Sequence, residues 1–219
     1  MSRQVSEMTN QLDLFNSIAA SWDREIILND DGAVILHRHF FDLTESDNIL
    51  NISIAKLEWK QEYIKMYGKS IPIPRLTAWY GDADKPYSYS GIKMNPIEWH
   101  PILLDIKNRV ETVCDRSFNG VLVNYYRDGN DGMSWHADDE RELGKNPVIG
   151  SVSFGGTRKF SLKHKDPAHP NHKQLVDVDL THGSLLLMTG SCQSFWLHRI
   201  AKTKKHVQPR INLTFRFIE

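Results

Sequence analysis

The strictest constraint in this chain is the alternation of "PRINLTFRF", residues 209–217. Successive side chains of an extended strand point to opposite sides. Arg210, Asn212, Thr214 and Arg216 therefore share one face, and Ile211, Leu213, Phe215 and Phe217 share the other. The apolar face belongs in a core. The polar face has two readings. Facing water, its arginines are unremarkable. Lining a cavity, they are costly unless they bind anions, and the guanidinium fork matches a carboxylate at two points. "LVNYY" follows the same logic, with Leu122, Asn124 and Tyr126 on one face. Amide, hydroxyl and guanidinium groups from two such strands suit a small dicarboxylate.

These strands sit in a β-rich context. From about residue 119 onward, "NGVLVNYYRDG", "VIGSVSFGG", "RKFSLKHK", "KQLVDVDL", "GSLLLMTG", "QSFWLHRI" and "PRINLTFRFI" read as short strands. Glycine, proline or charged turns split them. Such a succession favours a sandwich or barrel. Earlier, "GAVILHRHF" reads as a strand. "TESDNILNISIAKLEW" reads as a helix capped by Thr44, with Asp47 three positions on. "IEWHPILLDIKNRVETVC" has helical spacing, with Ile97, Leu104, Val110 and Val113 among its apolar positions. "YGKSIPIPR" is a hairpin or extended segment. Residues 1–20 are expected to form a flexible tail. No linker marks a separate front domain, and 219 residues suffice for one domain with a sizeable core.

A second constellation is "WHADDE", residues 135–140. In a strand, His136 and Asp138 point the same way and can reach one ion. Imidazole with carboxylate suits Fe(II), Zn(II) or Mn(II). The histidines available as a third ligand are His164, His169, His172, His182, His198 and His206. His164, His169 and His172 read as loop residues. His198, in the apolar run "SFWLHRI", reads as entering the core, where an imidazole needs a partner or a ligand role. Two histidines and one carboxylate leave open positions, which suits oxygen chemistry on iron and also a hydrolytic zinc.

Composition sets outer bounds. The 27 basic and 27 acidic residues balance, so no global pull toward nucleic acid or anionic membrane is expected. Local runs differ. "RKFSLKHK" carries Arg158, Lys159, Lys163 and Lys165 without an acid, and "KTKKHVQPR" carries Lys202, Lys204, Lys205 and Arg210. Such lysines can meet phosphates. Cys114 and Cys192 are far apart and have no metal-type spacing, which fits free thiols in a reducing compartment. No stretch reads as a signal peptide or a membrane span. The expectation is a soluble, monomeric intracellular protein, cytoplasmic in a bacterium or nuclear in a eukaryote.

The ordered set "PRLTAWYGD", "YSYSG", "NYYRDGNDGMSWHADDE", "PVIGSVSFGGTRKFSLKHK", "HGSLLLMTG", "FWLHRI" and "PRINLTFR" resembles the AlkB family of iron(II)- and 2-oxoglutarate-dependent dioxygenases. The likeness runs from about Ile71 to Arg216 and is strongest to members that repair alkylated DNA. It implies a mainly β fold with flanking helices, the double-stranded β-helix or jelly roll. It implies one catalytic domain over 21–219, with a nucleotide-recognition lid over 60–95 and the jelly-roll core over 119–219. His136, Asp138 and His198 would hold Fe(II). Asn124, Tyr126, Arg210 and Arg216 would bind the cosubstrate 2-oxoglutarate, with O2 the co-reactant.

Trp79 and Tyr80 in the lid, and Asp139 and Glu140 at the mouth, would contact the damaged base. The implied reaction is oxidative demethylation of 1-methyladenine and 3-methylcytosine in DNA, releasing formaldehyde and succinate. The alternatives are a related dioxygenase acting on methylated RNA or protein, and a non-catalytic jelly-roll binding module. In "MYGKS", Met66 or Tyr67 is the candidate wedge for entering a duplex. "QLDLF", Gln11 to Phe15, is similar to peptides that dock on the bacterial sliding clamp.

Overall fold

The computed structural model describes residues 24–66, 68–89 and 92–219. The expected tail and the clamp-like peptide lie outside them. The chain opens with a hairpin of β1 (Arg24–Asn29) and β2 (Ala33–His37), followed by helix α1 (Leu43–Lys56). Two small hairpins, β3 (Tyr63–Met66) with β4 (Lys69–Pro72) and β6 (Tyr87–Tyr89) with β7 (Ile92–Met94), flank β5 (Leu76–Gly81). Helix α2 (Pro101–Cys114) leads into β8 (Gly120–Tyr126) and β9 (Met133–His136). The remaining strands are β10 (Ile149–Gly155), β11 (Arg158–His164), β12 (Val176–Leu180), β13 (Ser184–Thr189), β14 (Trp196–Ile200) and β15 (Arg210–Arg216). A single helical turn, α3 (Cys192–Phe195), precedes β14.

The strands form two antiparallel sheets. The larger runs β1-β2-β13-β10-β15-β8-β5 and the smaller β12-β11-β14-β9. Their inner faces meet in one apolar cluster that includes Leu122, Leu186 and Met188 from the large sheet and Phe160, Leu162, Val178 and Ile200 from the small. The outer face of the large sheet buries Val121, Val123, Val152, Phe154, Ile211, Leu213 and Phe215 with helix residues such as Ile49, Leu103, Ile106 and Val110. This is the expected sandwich of two sheets with helices on one side. Helix α2 approaches closely at Gly150, where an added Cβ would lie 2.8 Å from Val110 Cγ1. Among the described residues no helix is long and apolar enough to cross a membrane.

Several local expectations are corrected. The cap of α1 is Asp42, whose Oδ1 accepts from the Glu45 N–H at 2.8 Å, so Thr44 lies inside the helix. Helix α2 starts after His100, whose ring caps the Ile102 N–H, and Ile97 instead bridges Tyr80. Its buried stripe is Leu103, Ile106 and Val110, while Leu104 and Val113 are exposed. Spacing identifies a helix, but the sheet beneath chooses its buried stripe. Phe217 stands one residue past β15 and is 50% exposed. Alternation fixes its side of the sheet, not how far the cover extends. His164 closes β11 and is buried, against its reading as a loop residue. Of the wedge candidates, Met66 closes β3 and Tyr67 lies outside the described residues.

Leu213→Ala is expected to lower the unfolding free energy by about 2–5 kcal/mol, because it opens a cavity under two helices. Phe217→Ala should cost less than about 1 kcal/mol. Urea unfolding of both variants measures the difference, and equal losses would contradict the placement of Phe217 outside the core.

Candidate metal centre and anion pocket

The two strands that bring the histidines together are neighbours. In the β9–β14 pairing His136 stands directly opposite His198, with ring centroids 4.1 Å apart. Asp138 follows two residues after His136. Ligand-type atoms of His136, Asp138 and His198 all lie within 4.8 Å of one another, and among the described residues they are the set of three with metal-binding geometry. His136 Nδ1 lies 2.9 Å from the Ser134 carbonyl. A carbonyl only accepts, so the neutral ring carries its proton on Nδ1 and its lone pair on Nε2. That Nε2 is 3.9 Å from Asp138 Oδ1, a gap of the scale of a bound cation. His198 packs its face on Phe160, and its buried Nδ1 has no hydrogen-bond partner among the described residues. The three groups fit a divalent metal.

The charges agree. Burial pushes Asp138 upward, but the Arg216 guanidinium and both imidazoles outweigh it and hold the carboxyl at about 2. Burial, reinforced by His136, pushes His198 down to about 3, and burial also lowers His136 against the pull of Asp138. One carboxylate and two neutral imidazoles result, the protonation states a metal needs.

The polar face of β15 lines the cavity rather than meeting water. Arg210, Asn212, Thr214 and Arg216 are all buried and border it with Leu122, Asn124 and Tyr126 of β8. The two arginines differ. Arg216 Nη2 donates to Asp138 Oδ1 at 2.9 Å, so this guanidinium is spent on the metal ligand. Arg210 donates from Nη2 to Ser153 Oγ at 2.9 Å, but its buried Nε and Nη1 have no acceptor among the described residues. Its guanidinium lies over the Tyr126 ring, and burial lowers its pKa to about 10 against the opposing effect of Tyr126. A buried guanidinium without a counterion is costly, and an incoming carboxylate supplies the missing acceptors.

Two buried residues support this arrangement without having been predicted. Arg75 Nε donates to Asn124 Oδ1 at 2.7 Å, tying the segment before β5 to the cavity wall. Gln193 Oε1 accepts from the Asp138 N–H at 2.9 Å, and Gln193 Nε2 contacts Met188 Sδ. Both partners are distant in sequence, and no local pattern announces them.

The expected base contacts fare differently. Trp79 points inward but is buried, stacked on Tyr87 at 4.7 Å, with Nε1 donating to the Lys85 carbonyl. Tyr80 alternates to the opposite face, packs under the helices and accepts from the Glu58 N–H, so it does not face the cavity. Asp139 is exposed and pairs with Lys165 at 3.1 Å. Glu140 is half-buried, and burial together with the Asp138 charge raises its pKa. None of the four lines the cavity itself. Tyr87, not singled out from sequence, is fully buried beneath the Arg216 guanidinium at 5.1 Å.

Comparison with known proteins agrees with this geometry. The family model described as the 2OG-Fe(II) oxygenase superfamily matches residues 32–216. The mouse protein named alpha-ketoglutarate-dependent dioxygenase alkB homolog 3 is 43% identical over 201 residues, covering 89% of this chain and 70% of the relative. The human DNA oxidative demethylase ALKBH2 is 40% identical over 188 residues, covering 81% of this chain and 70% of the relative. A solved structure, that of OsALKBH1, covers 88% of this chain and 100% of its own with a TM-score of 0.60 at 16% identity, which speaks to the fold alone.

Gln193→Leu removes the acceptor of the Asp138 N–H at nearly constant volume. It is expected to weaken Mn(II) or Fe(II) binding about 10- to 100-fold and to cost about 1–3 kcal/mol of stability. Metal titration followed by calorimetry, with urea unfolding alongside, checks both; unchanged metal affinity would refute a supporting role for Gln193.

Proposed function

This chain belongs to the 2OG-Fe(II) oxygenase superfamily, in its AlkB family, and on that premise we propose that it oxidatively demethylates alkylated bases in DNA. The observation that carries the reading is Arg210. A buried cation with two unsatisfied donors stands in the cavity that also holds the His136, Asp138 and His198 ligand set. A dicarboxylate that binds metal through one end and an arginine through the other fits both features. The relatives named for DNA demethylation support the substrate class.

With Fe(II), 2-oxoglutarate and O2 bound, the site supplies oxidation of the N-methyl carbon, yielding formaldehyde and the unmethylated base with succinate and CO2. The chain's own residues bind, orient and exclude water. His136, Asp138 and His198 would hold the metal, and Arg216 would keep Asp138 ionised and fixed. Arg210 would grip the distal carboxylate, with Tyr126 and Ser153 beside it. Arg75 occupies Asn124 Oδ1 and so turns the amide donor of Asn124 to the ligand. Leu122, Met133, Phe160, Leu180 and Met188 keep the cavity walls apolar.

The target methyl sits on the pairing edge, so the base must leave the stack or be single-stranded. Its positive charge favours the carboxylate of Glu140 near the metal ligands, while Lys202, Lys204 and Lys205 are available to phosphates. RNA as a further substrate, a monomeric state and docking of Gln11–Phe15 on a sliding clamp are finer proposals of the same reading.

The test is turnover with Fe(II), 2-oxoglutarate and O2 on oligonucleotides bearing 1-methyladenine or 3-methylcytosine, as single- and double-stranded DNA and as RNA. Formaldehyde should match restored base one for one and vanish on chelation. Arg210→Met should raise KM for 2-oxoglutarate about 100-fold or more, since it removes charge-assisted hydrogen bonds. No 2-oxoglutarate decarboxylation on any member of the panel would refute the reading.

A further inference from the structure

The outer face of the small sheet carries a cluster that the demethylation site does not use. β9 is the edge strand of that sheet. Alternation sends His136 inward, so its neighbour Trp135 stands on the outside. Two cations from the next two strands of the sheet flank it. Lys163 Nζ of β11 is 4.8 Å from the indole ring centre, and the Arg199 guanidinium carbon of β14 is 4.4 Å away. Both alternate with inward residues, Leu162 and His198.

These cations differ from the other basic groups nearby. Arg158 is buried and donates to the carbonyls of Asp131 and Ala201. Lys159 pairs with Asp177 at 3.2 Å, and Lys165 pairs with Asp139. Lys163 and Arg199 have no carboxylate partner within ion-pair distance among the described residues, and the buried Arg199 Nε has no acceptor. Packing on the indole accounts for Trp135, while Asp177, one strand beyond Ser161 and already paired with Lys159, offsets Arg199 only at a distance. The acids of this face, Asp177 and Asp179, stand on β12 at the far edge. Beside Trp135 the two cations therefore have no carboxylate in direct contact among the described residues, and Asp177 is shared with Lys159.

That edge borders the entrance. The His136 side chain is 18% exposed while Asp138 is 1% exposed, so solvent reaches the metal site past β9. Trp135 is the chain neighbour of His136 on the opposite face of this edge strand, so a nucleic acid strand leaving the entrance around the β9 edge comes next to Trp135.

We propose that Trp135, Lys163 and Arg199 form an outer site for the single-stranded nucleic acid that flanks the base in the pocket. Lys163 and Arg199 bind its phosphodiesters, and the indole, fixed between them, offers an apolar edge to a neighbouring base. This deepens the demethylase reading and rests on it for the position of the entering base.

The test compares the parent with Lys163→Gln/Arg199→Gln, Trp135→Ala and Trp135→Phe. Fluorescence anisotropy with an undamaged single-stranded 15-mer needs no turnover, so it reads this surface even if the demethylase reading fails. The double variant should weaken 15-mer binding about 10-fold and flatten the salt dependence by roughly one to one and a half logarithmic units per decade, as expected for two phosphate contacts. In turnover, its KM should rise several-fold more for a methylated 15-mer than for a methylated trinucleotide, with kcat little changed. Trp135→Ala should weaken 15-mer binding and Trp135→Phe should restore most of it. Unchanged affinity and salt slope in the double variant would overturn the proposal. So would equal KM losses on both lengths, which would mean that the cluster acts only through His136.

Discussion

The buried ion pair between Asp138 and Arg216, 2.9 Å long with both side chains almost fully enclosed, fixes the rest of the site. It joins the two sheets, since Asp138 follows β9 of the small sheet and Arg216 ends β15 of the large one. Either charge alone would be several kcal/mol too costly to bury. Each makes the other tolerable, and the pairing leaves little choice in how Asp138 points. Gln193 adds a second restraint through the backbone of the same residue. A metal arriving at His136, Asp138 and His198 therefore meets a carboxylate that is already ionised and oriented.

Arg210 is the counterpoint on the same strand. It is as deeply buried as Arg216, yet the interior provides one hydroxyl and the face of Tyr126 where a carboxylate is needed. The strand thus holds one guanidinium whose counter-charge comes from within, with only its Nε left without an acceptor among the described residues, and one whose counter-charge must come from outside. A fold built for stability alone would place an apolar residue there, as buried charges are seldom worth their desolvation. A ligand that completes Arg210 binds only the folded state and so returns stability on binding. The incomplete interaction is what makes the cavity selective for an anion.

The strand pattern and the metal ligands were legible because their signals are local. His136 and Asp138 are two residues apart, His198 interrupts an apolar strand, and β15 alternates without exception. Alternation also revealed the cost of Arg210 before any partner was known. It did not reveal which side of β5 faces the cavity, because Trp79 and Tyr80 are both aromatic and both sides of that strand are buried. Which of the two points to the helices, as Tyr80 does, is settled by the packing of the strand and not by its residue types. Arg75 and Gln193 escaped for another reason. Their partners lie 49 and 55 residues away, and a buried polar residue is indistinguishable from a surface one until its partner is brought near. Asp139 reads as part of one acidic run with Asp138, but Asp138 is buried beside Arg216 while Asp139, the next residue, is exposed and paired with Lys165.

The position of β9 explains how one short strand can serve two purposes. A central strand would bury His136 as completely as His198 and close the approach to the metal. An edge strand leaves one ligand partly open while its neighbours stay enclosed. Edges usually need protection, because their unpaired backbone invites other strands. Here the edge is only four residues long, and the outward Trp135 is covered by Lys163 and Arg199. The same cations that discourage strand pairing attract a polyanion. Access to the metal and attraction of a charged strand therefore follow from one choice of topology, with the inward and outward residues of β9 dividing the work.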